Sequence, residues 1–96
     1  MDNYQISKAA ELDISELYIQ GILKHGIILA DQYYDGLIEQ FEFLAKNPDI
    51  GFNSNELAAN LQRFPYGRHV IFFINIRTVV LIVRVLGEEM DFKRHL

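Results

Sequence analysis

The chain has 96 residues, half of them hydrophobic, no cysteine and a formal net charge of −4. That length makes one domain, residues 1–96, with a single core and modest stability to spare. The lack of cysteine excludes a disulfide framework, thiolate chemistry and a cysteine-held metal. Charge is unevenly placed: residues 1–50 hold nine acids and three bases, residues 51–96 four acids and six bases. A general nucleic-acid footprint is therefore absent, and at most one basic face belongs to the second half.

Met1-Asp2-Asn3-Tyr4 has no basic region leading into an apolar run, so a secretory signal is not expected and the cytoplasm is the default location. Asn3 to Ile6 alternates polar and apolar positions, a short strand, and Ser7 is placed to cap a helix from about Lys8 to His25. Ala10, Ile14, Leu17 and Gly21 share one face of that helix, and Leu12, Ile19 and Leu23 share another. One sheet cannot cover both, so the second face is either covered by the next helix or offered to a partner. Gly21 suits close approach of another backbone. Gly26 ends the helix.

A second helix, from about Ile28 to Lys46, presents Ala30, Tyr34, Leu37, Phe41 and Leu44 as a packing seam, and Pro48 stops it. Residues 49–60 form a polar connection with at most one helical turn, at 55–59. Leu61 to Phe64 reads as a strand closed by a Pro65-Tyr66-Gly67 turn. Arg68 to Leu86 is dense in β-branched and aromatic residues, too long for one strand, and is expected to reverse near Ile76-Arg77-Thr78. Its near-continuous apolar runs predict strands covered on both faces. Asn75, Arg77 and Arg84 interrupt the run, so no membrane span is expected. Gly87 breaks the last strand, and the polar tail after it is expected to bury little. The order is β-α-α-β-β-β, an α+β fold with a helical hairpin on a mainly antiparallel sheet.

His25, His69 and His95 show no ligand spacing, and no nucleophile triad or phosphate-cradling glycine loop appears, so no metal or cofactor is expected. Asp13/Glu16 and Asp35/Glu39 read as solvated helical neighbours rather than acid–base pairs. Arg63, Arg68 and Arg84 come from three strands expected to be adjacent and could converge on one sheet face. Two readings stand: edge solubility or a pair with a helix carboxylate, against recognition of a phosphate or an acidic partner. Tyr66 either stacks on a base or plugs its turn.

Pro65-Tyr66-Gly67-Arg68-His69-Val70-Ile71-Phe72-Phe73, then Ile82-Val83-Arg84-Val85-Leu86, then Met90-Asp91-Phe92-Lys93-Arg94-His95-Leu96 form an ordered set. Upstream stand Tyr4, Ser7, Ala10 and Asp13, then Gly26, Ala30, Tyr33, Tyr34 and Leu37, then Leu44, Ala45, Pro48 and Gly51. Together they resemble the ParE branch of the ParE/RelE superfamily of type II toxin–antitoxin toxins, over nearly the whole chain. The resemblance implies a RelE-like fold and a bacterial, non-enzymatic toxin of the plasmid-stabilising kind that inhibits growth by acting on DNA gyrase. It also implies a cognate antitoxin that wraps over the toxin as a hetero-oligomer, with neither membrane nor direct nucleic-acid binding.

The matching positions Arg68, Arg84, Met90, Asp91, Phe92, Lys93, Arg94 and His95 are the target-binding candidates. Leu12, Ile19 and Leu23, the surplus apolar face, are the antitoxin-binding candidates. The chain departs from the family at Gly87, where a histidine is frequent, and at Phe52, Asn53 and Gln62, where basic residues are frequent; these departures bear on gyrase inhibition. Two alternatives accompany the main reading. One is a RelE-like ribosome-dependent mRNA endonuclease, for which the tail offers Lys93, Arg94 and His95 but no tyrosine. The other is a degenerate toxin kept as an antitoxin-binding or repressor-assembly module.

Overall fold

Ser7 starts the first helix as its hydroxyl predicts. In the computed structural model, which describes residues 3–96, its Oγ accepts from the Ala10 N–H at 3.0 Å and donates to the Val83 carbonyl at 2.7 Å. One side chain thus caps the helix and ties it to the sheet. The elements are β1 (Asn3–Ile6), α1 (Lys8–His25), α2 (Ile27–Lys46), β2 (Phe52–Asn53), β3 (Leu61–Tyr66), β4 (His69–Ile76), β5 (Val79–Gly87) and α3 (Phe92–His95). The sheet order is β1-β5-β4-β3-β2, with β1 parallel to β5 and every other pair antiparallel. This is the α+β arrangement that the element order predicts. No helix among the described residues is long and apolar enough to cross a membrane.

The helical hairpin covers one face of the sheet. Ala10, Ile14, Leu37, Phe41 and Leu44 from the helices meet Ile71, Phe73, Val80, Ile82 and Val85 from the strands. Gly21 marks a close approach: a Cβ there would stand 3.4 Å from that of Ala30 on α2. Tyr34 leaves the expected seam and is 37% exposed. On the opposite face Leu61, Phe72 and Leu86 form a second, smaller cluster, packed by Leu57 from the connection and by Phe92 and Leu96 from the tail. The strands are therefore covered on both faces, though unequally.

Three details differ from the sequence reading. β3 runs through Pro65 to Tyr66, and the reversal is the two-residue turn Gly67-Arg68, with Gly67 at φ +55°. Proline is tolerated there because β2 pairs only with Gln62 and Arg63, leaving the outer side of Pro65 without a neighbouring strand. Arg68 consequently lies in a turn and not on a strand. The β4–β5 reversal falls at Arg77-Thr78 as expected, with Arg77 at φ +52° where a glycine would sit more easily. The tail buries more than expected: Phe92 stacks edge-on against Phe72 at 5.0 Å.

Because Phe92 and Leu96 supply the cover for Phe72 and Leu86, Phe92→Ala is expected to lower unfolding stability by about 2–3 kcal/mol in urea titrations. Deleting Asp91–Leu96 is expected to cost more. A tail deletion with unchanged stability would mean that the second cluster adds nothing.

Candidate functional site

The apolar row on α1 is open. Leu12, Ile19 and Leu23 are 69%, 55% and 73% exposed, and Ile27, Ile28 and Leu29 after Gly26 are exposed as well. The second helix packs through Gly21 and Ala30 and does not cover this row. Exposed apolar side chains gathered on one helix face point to an interaction site.

The candidates of the second half divide around Arg84. β1 pairs with β5 only as far as Ile82, where the Ser7 N–H takes the Ile82 carbonyl at 2.9 Å. Beyond that point β5 has no strand on its outer edge among the described residues. Its register against β4 also slips there, since Phe73 faces Ile82 while Phe72 faces Arg84, leaving Val83 as the extra residue of a bulge. Asp13 on α1 fills the gap. Its Oδ2 accepts from the Val85 N–H at 3.0 Å and from Arg84 Nε at 2.7 Å, and its Oδ1 accepts from Arg84 Nη2 at 2.8 Å. The remaining arm of the fork, Nη1, donates to the His95 carbonyl at 2.8 Å. Asp13 holds the Arg84 guanidinium above its ordinary pKa, and the two side chains are 21% and 14% exposed. Of the two sequence readings for Arg84, the geometry matches the pair with a helix carboxylate.

The three arginines do not converge. Arg63, Phe72 and Arg84 lie in one row across the sheet. Arg68 stands apart in its turn, exposed, its carbonyl accepting from the Glu88 N–H at 2.9 Å. Arg63 lies beside the tail: Arg63 and Lys93 line a shallow depression of about 430 Å³ with Glu56, Leu57, Met90, Asp91 and Phe92. Met90 Sδ accepts from the Gly87 N–H at 3.1 Å, and the Asp91 carboxylate caps α3 at the Lys93 N–H, 3.2 Å away. Lys93, Arg94 and His95 point outward as exposed residues. Within the tail, Phe92 seats the helix and the cations are presented on it.

A polar corner escaped the sequence reading. The Tyr33 hydroxyl of α2 lies 2.7 Å from His69 Nδ1 and 3.1 Å from the Tyr66 carbonyl, and it accepts from the Arg68 N–H at 3.2 Å. Tyr66 answers by donating its hydroxyl to the Tyr33 carbonyl at 3.0 Å. Two glycines make room: a Cβ on Gly67 would meet the Tyr33 hydroxyl at 2.6 Å, and one on Gly36 would overlap the Tyr66 hydroxyl. Tyr66 thus plugs its turn. Burial raises the Tyr33 pKa, opposed by the Arg68 N–H bond. Burial lowers that of His69, opposed by Glu89 and Glu88. Gly36 inside a helix, three residues after Tyr33, was the signal available, because a helical glycine costs stability unless a neighbour needs the space.

The model of the family described as ParE toxin of type II toxin-antitoxin system, parDE, matches residues 4–92. Toxin ParE1 of Caulobacter vibrioides is 30% identical over 97 residues, covering 100% of this chain and 99% of that protein. Toxin ParE1 of Mycobacterium tuberculosis is 29% identical over 94 residues, covering 97% and 96%. A solved structure described as the chromosomal ParDE TA system from P. aeruginosa shares the fold, with a TM-score of 0.76 at 15% identity over 91% of this chain and 96% of that one.

Asp13→Ala would strand both the Arg84 fork and the Val85 N–H, and is expected to cost about 2–3 kcal/mol in urea unfolding. Asp13→Asn keeps an acceptor and is expected to cost less. The His69 corner makes a pH prediction. Its folded pKa lies below the ordinary 6.5, so the unfolded chain takes up the proton first as pH falls. The stability concerned is fully present above the unfolded value and is lost as pH drops through the folded one. Thermal melts of the protein should decline across that window, and His69→Gln should flatten the decline.

Proposed function

The chain belongs to the ParE toxin family of type II toxin–antitoxin systems, and we propose from that premise that it is a non-enzymatic growth inhibitor held in check by a cognate antitoxin. The observation that carries the partner is the open row of Leu12, Ile19 and Leu23. The core closes without these side chains, and their exposure to water is costly for a chain of this size unless something covers them. An antitoxin segment laid along α1 would bury them, giving a cytoplasmic hetero-oligomer.

We assign the target surface to the C-terminal corner, with DNA gyrase as the target class carried by family membership. In this reading Lys93, Arg94 and His95 make the contact, Arg68 adds to it from the turn whose carbonyl accepts from the Glu88 N–H, and Met90, Asp91 and Phe92 hold the tail in place. Arg84 belongs to the same corner but acts from behind it, because its fork is engaged by Asp13 and the His95 carbonyl. The nuclease alternative gains nothing from this geometry. Its chemistry calls for cations that hold phosphate, and Arg84 is not free to do so because its fork is committed to a carboxylate.

Induction of the chain alone in bacteria is expected to stop growth, and co-expression of the product of the adjoining open reading frame is expected to restore it. Arg68→Ala with Lys93→Ala and Arg94→Ala should relieve the arrest with the melting point kept, since these side chains bury little. Leu12→Ala and Ile19→Ala should each weaken antitoxin binding by about 1–3 kcal/mol. Unimpaired growth with soluble wild-type protein present would leave only the degenerate-toxin reading.

A further inference from the structure

A cleft separates α1, α2 and the end of β1, on a different side of α1 from the exposed leucine–isoleucine row. It has a volume of about 670 Å³. Its floor is apolar: Ile6, Ile14 and Ile38. Two of its walls are the rings of Tyr18 and Tyr34, packed edge-on at 5.9 Å. Around them stand Glu11, Asp31 and Asp35, and none of the lining residues is cationic. The Tyr18 hydroxyl donates to Asp31 Oδ1 at 2.5 Å. Its pKa is raised, first by that bond, then by desolvation, with the charges of Asp31 and Asp35 adding to it, a sign of the same negative field.

Carboxylates alone on a helix surface would simply be solvated. Here they border a concave, partly apolar space with two aromatic rings, and that combination favours one chemistry. An ammonium or guanidinium gains charge from the rim and attraction from the ring faces, while its alkyl stem covers the isoleucine floor. An acidic or neutral apolar occupant would meet three carboxylates with nothing to balance them.

We propose that this cleft receives an arginine or lysine side chain carried on the antitoxin segment that covers Leu12, Ile19 and Leu23. The inference rests on the antitoxin reading above and adds the chemistry of the partner. The occupant is a polypeptide because the cleft residues of α1, Glu11 to Tyr18, lie only about a third of a turn from the exposed row, at 100° per residue. A chain wrapping the helix passes from one to the other. The apolar row then supplies contact area, and the cleft supplies charge selection against partners lacking a base at that position.

The experiment measures binding of the purified product of the adjoining open reading frame to this chain at low and high salt. Glu11→Gln combined with Asp35→Asn leaves the Tyr18–Asp31 bond untouched, so the fold is expected to keep its melting point. Binding of this variant should weaken at least tenfold at low salt, with a flatter salt dependence than wild type. Asp35→Lys, which would place the protein's own cation in the cleft, should reproduce the loss. Equal affinity and equal salt slope for wild type and both variants would overturn the cleft while leaving the toxin reading intact. Failure of the wild-type chain to bind would overturn both. Weakening with an unaltered salt slope would show that the carboxylates act through packing and would also overturn the proposal.

Discussion

The contact between Asp13 and Arg84 is the constraint on which the C-terminal half of the molecule depends. β5 is nine residues long and β1 only four, so the outer edge of β5 is unpaired along much of its length. An unpaired N–H partly removed from water costs free energy unless something accepts it. Asp13 does so from a helix, taking the Val85 N–H and two arms of the Arg84 fork together. The ion pair is partly exposed, so its Coulombic share is screened and modest. Its larger effect is geometric. It sets the position of α1 along the sheet and directs the third arm of the fork at the tail.

That arrangement explains why the tail is a seated element. The fork holds the His95 carbonyl while Phe92 and Leu96 close the smaller cluster over Leu61, Phe72 and Leu86. Lys93 and Arg94 are carried outward on this anchored turn. A cation on a seated turn loses less conformational freedom on binding than one on a loose chain end, which favours recognition. The same anchoring means that damage to the tail would act on stability and on the proposed target contact at once. The two effects separate only when exposed charges are changed and the aromatic anchor is kept.

The two proposed surfaces rest on different elements. On the proposed reading the helical hairpin would face its partner with an apolar row and an acidic cleft, and the corner of turn and tail would present Arg68, Lys93 and Arg94. The charge asymmetry between residues 1–50 and 51–96 is thus a division of the surface. An antitoxin seated on the hairpin would not need the basic corner to bind, and an acidic target drawn to the corner would be repelled by the hairpin.

Much of the architecture was legible in the sequence because it depends on local chemistry. Ser7 before a helical pattern, Gly26 after it, Pro48 beyond the second helix and the β-branched run from Arg68 to Leu86 each act over a few residues. Counting faces against the area one sheet can cover marked Leu12, Ile19 and Leu23 as surplus, but whether the next helix covers them or leaves them exposed was decided only by the packing of the hairpin. The family resemblance lay in the spacing of these same pieces. Other features depended on residues distant along the chain. Arg84 could be read as a free cation or a paired one until the bulge at Val83 and the short β1 brought Asp13, 71 residues away, onto its fork. Tyr33 and His69 lie 36 residues apart and meet only because the β3–β4 turn folds onto α2. The tail looked polar because its two anchors, Phe92 and Leu96, are spaced by charged residues, and only the open face of the sheet shows where they go. Local propensity and hydrophobic period determine which segments form and which faces are apolar. Which charge meets which, and which end is free, is decided by register and strand length, because a pair exists only when both partners arrive at the same place.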